Sequence, residues 1–401
     1  MVHSIKLIFF IGIVNLVLFA QSGPRKPVFL YVTQIEKFHS ALTKKSTDVK
    51  PILADFLRDA DSLLTMKPLS VMDKLQTPPS GDKHDFMSMG PYWWPDSSKP
   101  DGLPYIRKDG QRNPEYYTIS DQLFFGKMVQ AVEKLSIAYA ITNDPRYSAK
   151  GAELLRTWFL DERTKMNPNM NHAQYIPGIN TGRGIGIIET RYIFKILDAL
   201  CFLETSHEWK KKDRKQMSGW LGEYFQWLTN HQYGIDESNE KNNHGTWYDV
   251  QTVSLALYLG KKDVAARILE EAKSKRIAVQ IEVDGKQPLE LARTRSWSYS
   301  SMNLTAFFHL ATLGERAGVD LWNYQKADGT SIRKALDYLL PFAVDMSAWK
   351  NQQISNIEEG ALLKLLLVAQ NKFDENEYSG WMKKIYPGKR IFTVEEMINV
   401  F

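Results

Sequence analysis

Apolar residues recur through most of this chain at the three-to-four residue spacing of a buried helix face. Phe125, Met128, Val132, Leu135 and Tyr139 mark one such face. Asn143-Asp144-Pro145 ends that helix and starts the next, where Ala152, Leu155, Trp158 and Phe159 recur. Ile187, Ile188, Ile193, Ile196, Leu197 and Leu200 mark a third helix, and Trp220, Leu221, Tyr224, Phe225 and Leu228 a fourth. The same pattern predicts helices over roughly 246–260, 262–274, 300–317, 330–345, 355–370 and 376–386. Short turns such as Gly260-Lys261-Lys262 read as the bends of helical hairpins. No strong repeat is present, so a regular solenoid is not supported. Strand signals are few: Ala278 to Val283 is β-branched and Asp284-Gly285 can turn it, which predicts one short ribbon.

Two long segments break the helical rhythm. One runs from about Thr77 to Thr118 and is rich in Pro, Gly, Asp and aromatics. The other runs from about Asp161 to Gly184 and holds Asn167, Asn169, Asn171, His172, Asn180 and Arg183. Insertions this long inside a compact domain are usually functional loops or disorder, and the aromatic content argues against disorder. No Ser/Gly linker divides the chain, so residues 23–401 are expected to form a single all-α domain.

The first 22 residues read as a secretory signal peptide. Lys6 supplies the positive region, Leu7 to Phe19 the apolar run, and Ala20, Ser22 and Gly23 the small residues for cleavage. The run is short for a membrane span, and no comparable stretch follows, so the mature chain is expected to have no span. Cys201 is the only cysteine. It excludes an internal disulfide, sits on an apolar helix face, and fits a periplasmic or secreted protein of a Gram-negative cell.

Lys and Arg number 51 against 46 Asp and Glu, a formal charge of +5. Such an excess can steer an anionic partner. There is no basic tail or Arg-rich helix, so nucleic acid is not expected as a partner.

The densest chemistry lies in Asn242-Asn243-His244-Gly245-Thr246-Trp247-Tyr248-Asp249, just before and into a predicted helix starting near Thr246. An imidazole there can be base, acid or donor to a carboxylate. Asn243 can donate to an anion, and the N–H groups of a helix start add to the same site. Alternatively, these side chains simply cap the helix. A second cluster, Arg293-Thr294-Arg295-Ser296-Trp297-Ser298-Tyr299, places two guanidiniums beside a phenol. Arginine grips carboxylates and can lower a phenol pKa. The bland alternative is a surface ion network with Glu290. His84 opens a loop in which Tyr92, Trp93 and Trp94 stand between Pro91 and Pro95. Such rings can stack on sugars, or plug the core. Asn180 and Arg183 can hold a second acidic sugar, or form a turn. The inventory suits cleavage of an acidic sugar polymer.

Other chemistries fit worse. His172 and His244 lack metal-ligand spacing, and no phosphate loop, nucleophile elbow or dinucleotide fingerprint is present, so no metal or cofactor is expected.

Taken together, Asn242 to Trp247, Arg293 to Tyr299 and Pro91-Tyr92-Trp93-Trp94-Pro95 resemble the alginate lyase superfamily of helical-toroid polysaccharide lyases. In outline the order matches family five. Gly102-Leu103-Pro104-Tyr105-Ile106-Arg107 and the Gly182 to Thr190 segment look closer to family thirty-eight, which includes glucuronan cleavage. The resemblance covers roughly residues 60–370. It implies an (α/α) toroid or barrel of paired antiparallel helices with long active-site loops, and β-elimination on 1,4-linked uronates. Carried over, Asn243, His244 and Arg293 bind and neutralise the substrate carboxylate, and Tyr299 acts near C5 and O4. His84, Tyr92, Trp93, Trp94, Asn180, Arg183, Asn242, Trp247, Tyr248 and Arg295 are the expected substrate contacts. A monomer is the expected state.

In β-D-mannuronate and β-D-glucuronate the C5 hydrogen and C4 oxygen lie on one side, so an ionised Tyr299 serves as base and then acid. In α-L-guluronate they lie on opposite faces, so His244 becomes the base and Tyr299 the acid. The leading expectation is therefore a polymannuronate lyase that also accepts glucuronan. Two alternatives are carried. One is an (α/α) barrel glycoside hydrolase using Asp85 and Asp249. The other is a non-catalytic glycan-binding protein, which the absence of a lipid-anchor cysteine weakens.

Overall fold

A computed structural model describes residues 50–357 and 360–387, together with Pro27, Phe29, Ile35, Glu36, Thr393 and Val394. The signal-peptide expectation for residues 1–22 lies outside the described residues. Twelve longer helices carry the architecture among the described residues: α1 (Lys50–Leu63), α2 (Asp121–Thr142), α3 (Pro145–Phe159), α4 (Ile193–Leu203), α5 (Lys211–Asn230), α6 (Gln232–Asn239), α7 (Asn243–Tyr258), α8 (Lys262–Ala272), α9 (Ser296–Ala317), α10 (Ile332–Val344), α11 (Leu363–Lys372) and α12 (Glu375–Ile385). None of the described helices is long and apolar enough to cross a membrane.

The local signals explain the hairpins. Asn143 ends α2 in the left-handed conformation, at φ 58°, as a short polar side chain can. Asp144 then accepts the Arg146 N–H, and Pro145 occupies the first helical position, where its missing N–H costs nothing. The chain reverses within two residues. The first helices of successive hairpins pack side by side, α2 on α4, α4 on α7 and α7 on α9. Helix α7 is buried around nearly its whole circumference, whereas α8 buries only Ala265, Leu269 and Ala272. The result is an (α/α) toroid, with an inner layer that includes α7 and an outer layer that includes α8.

Because each hairpin brings the chain back, the inner helices α2, α4, α7 and α9 start at one end of the toroid. The two long loops precede α2 and α4 and so lie at that end. They meet in two small sheets: β1 (Met87–Met89) pairs in parallel with β4 (His172–Tyr175), and β2 (Trp93–Trp94) pairs antiparallel with β3 (Ile106–Arg107). A buried ion pair fixes the first loop to the start of α2. Lys74 Nζ lies 2.9 Å from Asp121 Oδ2, with both side chains fully enclosed. Asp121 also accepts the Met87 N–H.

Two sequence expectations need correction. No ribbon forms over Ala278–Val283. The chain continues from α8 through a widened helical turn, Lys273–Ile277, into a short helix, Ala278–Gln280. Burial of Ile277 and Ile281, and the reach of Arg276 to Asp249, hold this segment helical. The Asp284-Gly285 turn does exist, with Gly285 at φ 88°. The helix predicted from Ile187 begins only at Ile193. A tighter helical stretch, Gly184–Thr190, precedes it. A side chain at Gly184 would meet the Tyr233 carbonyl, and one at Gly186 the Ala173 backbone, so both glycines permit close packing.

The ion pair Arg276–Asp249 ties α7 to this segment. Arg276 donates to both Asp249 oxygens, at 2.7 and 3.0 Å, and to the carbonyls of Glu240 and Ser238. Removing one partner leaves a buried charge uncompensated. Arg276→Met should therefore lower stability in a urea titration by about 3–5 kcal/mol, and adding Asp249→Leu should recover much of that loss.

Candidate active site

The start of α7 is built by its cap. Asn242 Oδ1 accepts the His244 N–H at 2.9 Å, so the helix begins at Asn243, earlier than the predicted Thr246. Asn243 and His244 thus sit in the first turn, at the positive dipole end of α7. Gly245 is required for close packing. A Cβ there would lie 2.1 Å from the Glu240 carbonyl and 2.5 Å from Arg276.

Two buried glutamates hold the pair. Glu290, on the short helix Pro288–Leu291, accepts from the Asn243 N–H at 2.7 Å and from its Nδ2 at 2.8 Å. Glu237, near the end of α6, lies 2.8 Å from His244 Nδ1. Each glutamate is only 1% exposed. Burial raises both pKa values, while His244 pulls against it at Glu237 and Asn243 at Glu290. With Nδ1 committed to Glu237, Nε2 is the working nitrogen of His244. Sequence reading missed Glu237 altogether, because the break between α6 and α7 hides its position. Glu290 is part of the buried frame, not of a surface network.

Tyr299 lies in the first turn of α9. Its hydroxyl is 2.7 Å from that of Tyr92, reached across from the first loop. The Arg293 guanidinium sits over its ring, 3.9 Å from the centroid. Arg293 is held in turn by Asp109, which accepts from its Nε and Nη2 and from the Thr294 N–H and hydroxyl. Gly110, at φ 70°, lets the loop close onto Thr294 and Arg295. Burial alone would raise the Asp109 pKa, but these donors hold it well below the carboxylate range. For Tyr299 the balance goes the other way. Burial pushes the phenol far above its ordinary value and Tyr92 adds to this, outweighing Arg293. The resting Tyr299 is therefore a neutral phenol, contrary to the lowered pKa expected from the arginines. The Arg293 N–H donates to the Glu290 main-chain carbonyl at 3.2 Å, a turn bond, and the Arg293 charge acts on the Glu290 carboxyl.

The remaining expected site residues divide. Arg183 and Trp93 come together, with the guanidinium 5.8 Å from the ring centroid. Trp94 donates to the Gln111 carbonyl and carries Lys108 over its ring. Arg295 turns away toward Ser355 Oγ, so Arg293 is the arginine beside the phenol. Trp247 and Tyr248 are core residues, not substrate contacts. Trp247 is 1% exposed among Tyr192 and His309, and the Tyr248 hydroxyl donates to the Leu228 carbonyl. Asn242 is a cap. Asn180 forms a turn, its Oδ1 accepting the Ile176 N–H. The His84 ring is bound to the Lys165 carbonyl through Nδ1, joining the two loops. Asp85 is a structural hub that accepts from Ser80, Asn167 and Asn169. Asp249 belongs to Arg276. Neither carboxylate is placed for the hydrolase alternative.

A further buried network lies beneath Trp93. Ser88 donates to Glu189 at 2.6 Å and accepts the Gln174 N–H at 2.8 Å. Gln174 has φ 49°, an uncommon value for a residue with a side chain, in the loop stretch that carries Arg183.

Comparisons with known proteins give the family and the fold. A family model described as alginate lyase matches residues 70–349. The crystal structure of an alginate lyase from Bacteroides ovatus is 38% identical, with a TM-score of 0.88, and the match covers 94% of this chain and 99% of that one. Two more distant structures share the fold. Alginate lyase A1-III from Sphingomonas species A1 is 15% identical, with a TM-score of 0.56 over 94% of this chain and 93% of that one. A histidine-to-alanine variant of alginate lyase A1-III, complexed with a tetrasaccharide, is 16% identical, with a TM-score of 0.58 over 88% and 89%. No curated protein sequence matches the chain.

Glu189 gives a pH test of this frame. It is fully buried, and burial pushes its pKa up to about 7 against the pull of Ser88, Gln174, Arg191 and Arg183. A carboxyl with a raised folded pKa stabilises most below its unfolded value, and the contribution is lost as pH rises through about 7. Glu189→Gln mimics the protonated form. Relative to the parent, it should gain stability between pH 5 and 8, on the order of 3 kcal/mol at most, in urea titrations run across that range.

Proposed function

Since the chain belongs to the alginate lyase family and is a polysaccharide lyase, we propose that it cleaves 1,4-linked polymannuronate by β-elimination, with glucuronan as a second substrate. The observation that carries this reading is the Tyr299 phenol under the Arg293 guanidinium, in the first turn of the inner helix that packs beside the one His244 opens. Elimination needs the uronate carboxylate neutralised, or the C5 proton is too weakly acidic. His244, partly exposed at a helix start, supplies a donor, and the buried glutamates fix it and the fully enclosed Asn243 in place before substrate arrives. Arg293 contributes its cation to the same space. Asp109 already takes its Nε and Nη2, so its part is chiefly the field over the phenol.

For mannuronate and glucuronate, tyrosinate removes the C5 proton. The C4–O4 bond then breaks, and the same phenol returns the proton to O4. The neutral resting state of Tyr299 means its own proton must leave first. Arg293 over the ring is the group that stabilises the resulting anion, and Tyr92 opposes it. For guluronate a neutral Tyr299 already suits the acid role, with His244 Nε2 as base. That observation favours guluronate as a second reading. The apolar run Leu7 to Phe19 supports export to the periplasm or beyond.

Incubation with polymannuronate, polyguluronate and glucuronan, followed by ultraviolet absorbance of unsaturated ends, tests the assignment. No unsaturated product from any of the three would sink it. Tyr299→Phe should lower kcat on every cleaved polymer by at least about a thousandfold while leaving binding intact. The pH profile separates the two readings. If tyrosinate is the base, kcat on polymannuronate rises through the alkaline range, because the raised Tyr299 pKa leaves little anion near neutrality. Cleavage of polyguluronate should lack that rise and should be the activity most reduced in His244→Ala.

A further inference from the structure

Helices α1, α2, α4, α9 and α11 surround a cavity of about 1180 Å³. Asn243, His244, Arg293 and Tyr299 do not line it. On α9 it is faced by Thr305, Phe308, His309 and Thr312. His309 comes ten residues after Tyr299, about 15 Å further along that helix. The Trp247 ring packs behind two lining residues, Tyr192 and His309, so the cavity is a space apart from the catalytic groups. Phe125, Phe194 and Phe308 give it aromatic walls. Polar side chains stand among these walls without partners. The His309 imidazole makes no hydrogen bond among the described residues. Its ring is wedged against Phe29, Phe194 and Trp247, with centroids 4.9, 4.9 and 5.6 Å away. Burial, then the charges of Lys195 and Lys364, push its pKa down to about 3. The ring is therefore neutral and offers one donor and one acceptor. The Gln122 amide also lacks a hydrogen bond among the described residues, and Tyr192 is 37% exposed. Lys195 pairs with Glu133 at 2.7 Å, both side chains being partly exposed, and Lys364 has no ion pair among the described residues. Interior polar groups usually find partners, and aromatic walls with a few placed polar groups are how small-molecule sites are built.

We propose that this cavity is a second ligand site, separate from the catalytic groups, that takes a short uronate sugar. Its aromatic walls suit the C–H face of a sugar ring. Gln122 and the neutral His309 exchange hydrogen bonds with hydroxyls, and Lys364 and Lys195 take the carboxylate. An apolar ligand would strip water from Lys195, Glu133 and Gln122 and return no hydrogen bonds. A bare inorganic anion would leave the aromatic walls unused. The choice of a uronate among hydroxy acids rests on the lyase reading, whose reaction releases such sugars.

The test is calorimetric titration of the full-length protein at pH 7 with D-glucuronate, glucose and citrate. Glucuronate should bind with a Kd of roughly a millimolar or tighter. His309→Phe keeps the ring contacts and removes both nitrogens. Lys364→Gln alters an exposed side chain, so it keeps the test valid if His309→Phe disturbs the packing. Each should weaken glucuronate binding by about tenfold or more, whereas His244→Ala should leave it unchanged. Glucose, without the acid, and citrate, without the ring, should each bind at least about tenfold more weakly than glucuronate. No binding to the parent, equal binding in both cavity variants, or loss of binding in His244→Ala would overturn the site. Glucose or citrate binding as tightly as glucuronate would overturn the uronate assignment. None of these results touches polymer cleavage. A parent that binds glucuronate in the cavity but yields no unsaturated ends would instead overturn the lyase reading.

Discussion

The working end of this toroid depends on burying carboxylates without leaving them alone. Glu237 and Glu290 are almost fully enclosed, and an ionised carboxylate taken out of water costs several kcal/mol unless donors replace the lost hydration. Here the donors come from the first turn of α7: His244 for one, the Asn243 amide and backbone for the other. The dependence is mutual. Asn243 and His244 have little freedom to rotate away, because that would strand a buried acid. Rigid donors need no reorganisation when charge develops on a substrate, which is what electrostatic stabilisation of an enolate-like transition state demands.

The fold makes this possible by direction. Inner helices that run the same way present their starts at one end. Each start carries a positive dipole end, and its N–H groups are taken by capping partners, Glu290 and Asn242 on α7 and Gln352 and Gln353 on α9. Asn243 and His244 open α7, and Tyr299 lies in the first turn of α9. The long loops are attached at the same end, by Lys74–Asp121 and by the Asp85 hub. They add Tyr92, Trp93, Arg107, Asp109 and Arg183 to the face.

The parts legible in the sequence were those with a local cause. Helical spacing marked the hairpins, and Asn143-Asp144-Pro145 specified a turn whose geometry follows from those three residues. The Asn243-His244 and Arg293-Tyr299 clusters were visible because their residues are close in sequence. The rest depended on distance in the chain. Glu237 and Glu290 reach the site from separate short helices, and Asp109 lies 184 residues from the arginine it holds. Trp247 and Tyr248 misled because adjacency to a motif says nothing about depth: they lie on the same side of α7 as His244 but a turn further along, where the inner helix is buried all round. Asp85 and Asp249 misled for a similar reason. Both are acids near the motifs, but each is already surrounded by protein donors.

Tyr299 shows why the loops matter as much as the toroid. A guanidinium 3.9 Å from a ring centroid favours the tyrosinate, yet burial and the Tyr92 hydroxyl outweigh it, so the resting phenol keeps its proton. The phenol is thus held near two opposing influences, one from α9's own flank and one from the first loop. A substrate that displaced water around Arg293, or moved Tyr92, would shift that balance without any change in the helices. Asp109 sits at the same hinge of influence. It fixes Arg293 above the ring and also shares its charge with Arg107, beside Trp93. Arg293 above Tyr299 and Arg107 opposite Trp93 are therefore joined through one acid on one loop. That loop also brings Tyr92 to the Tyr299 hydroxyl, so it holds both the group that favours the tyrosinate and the one that opposes it.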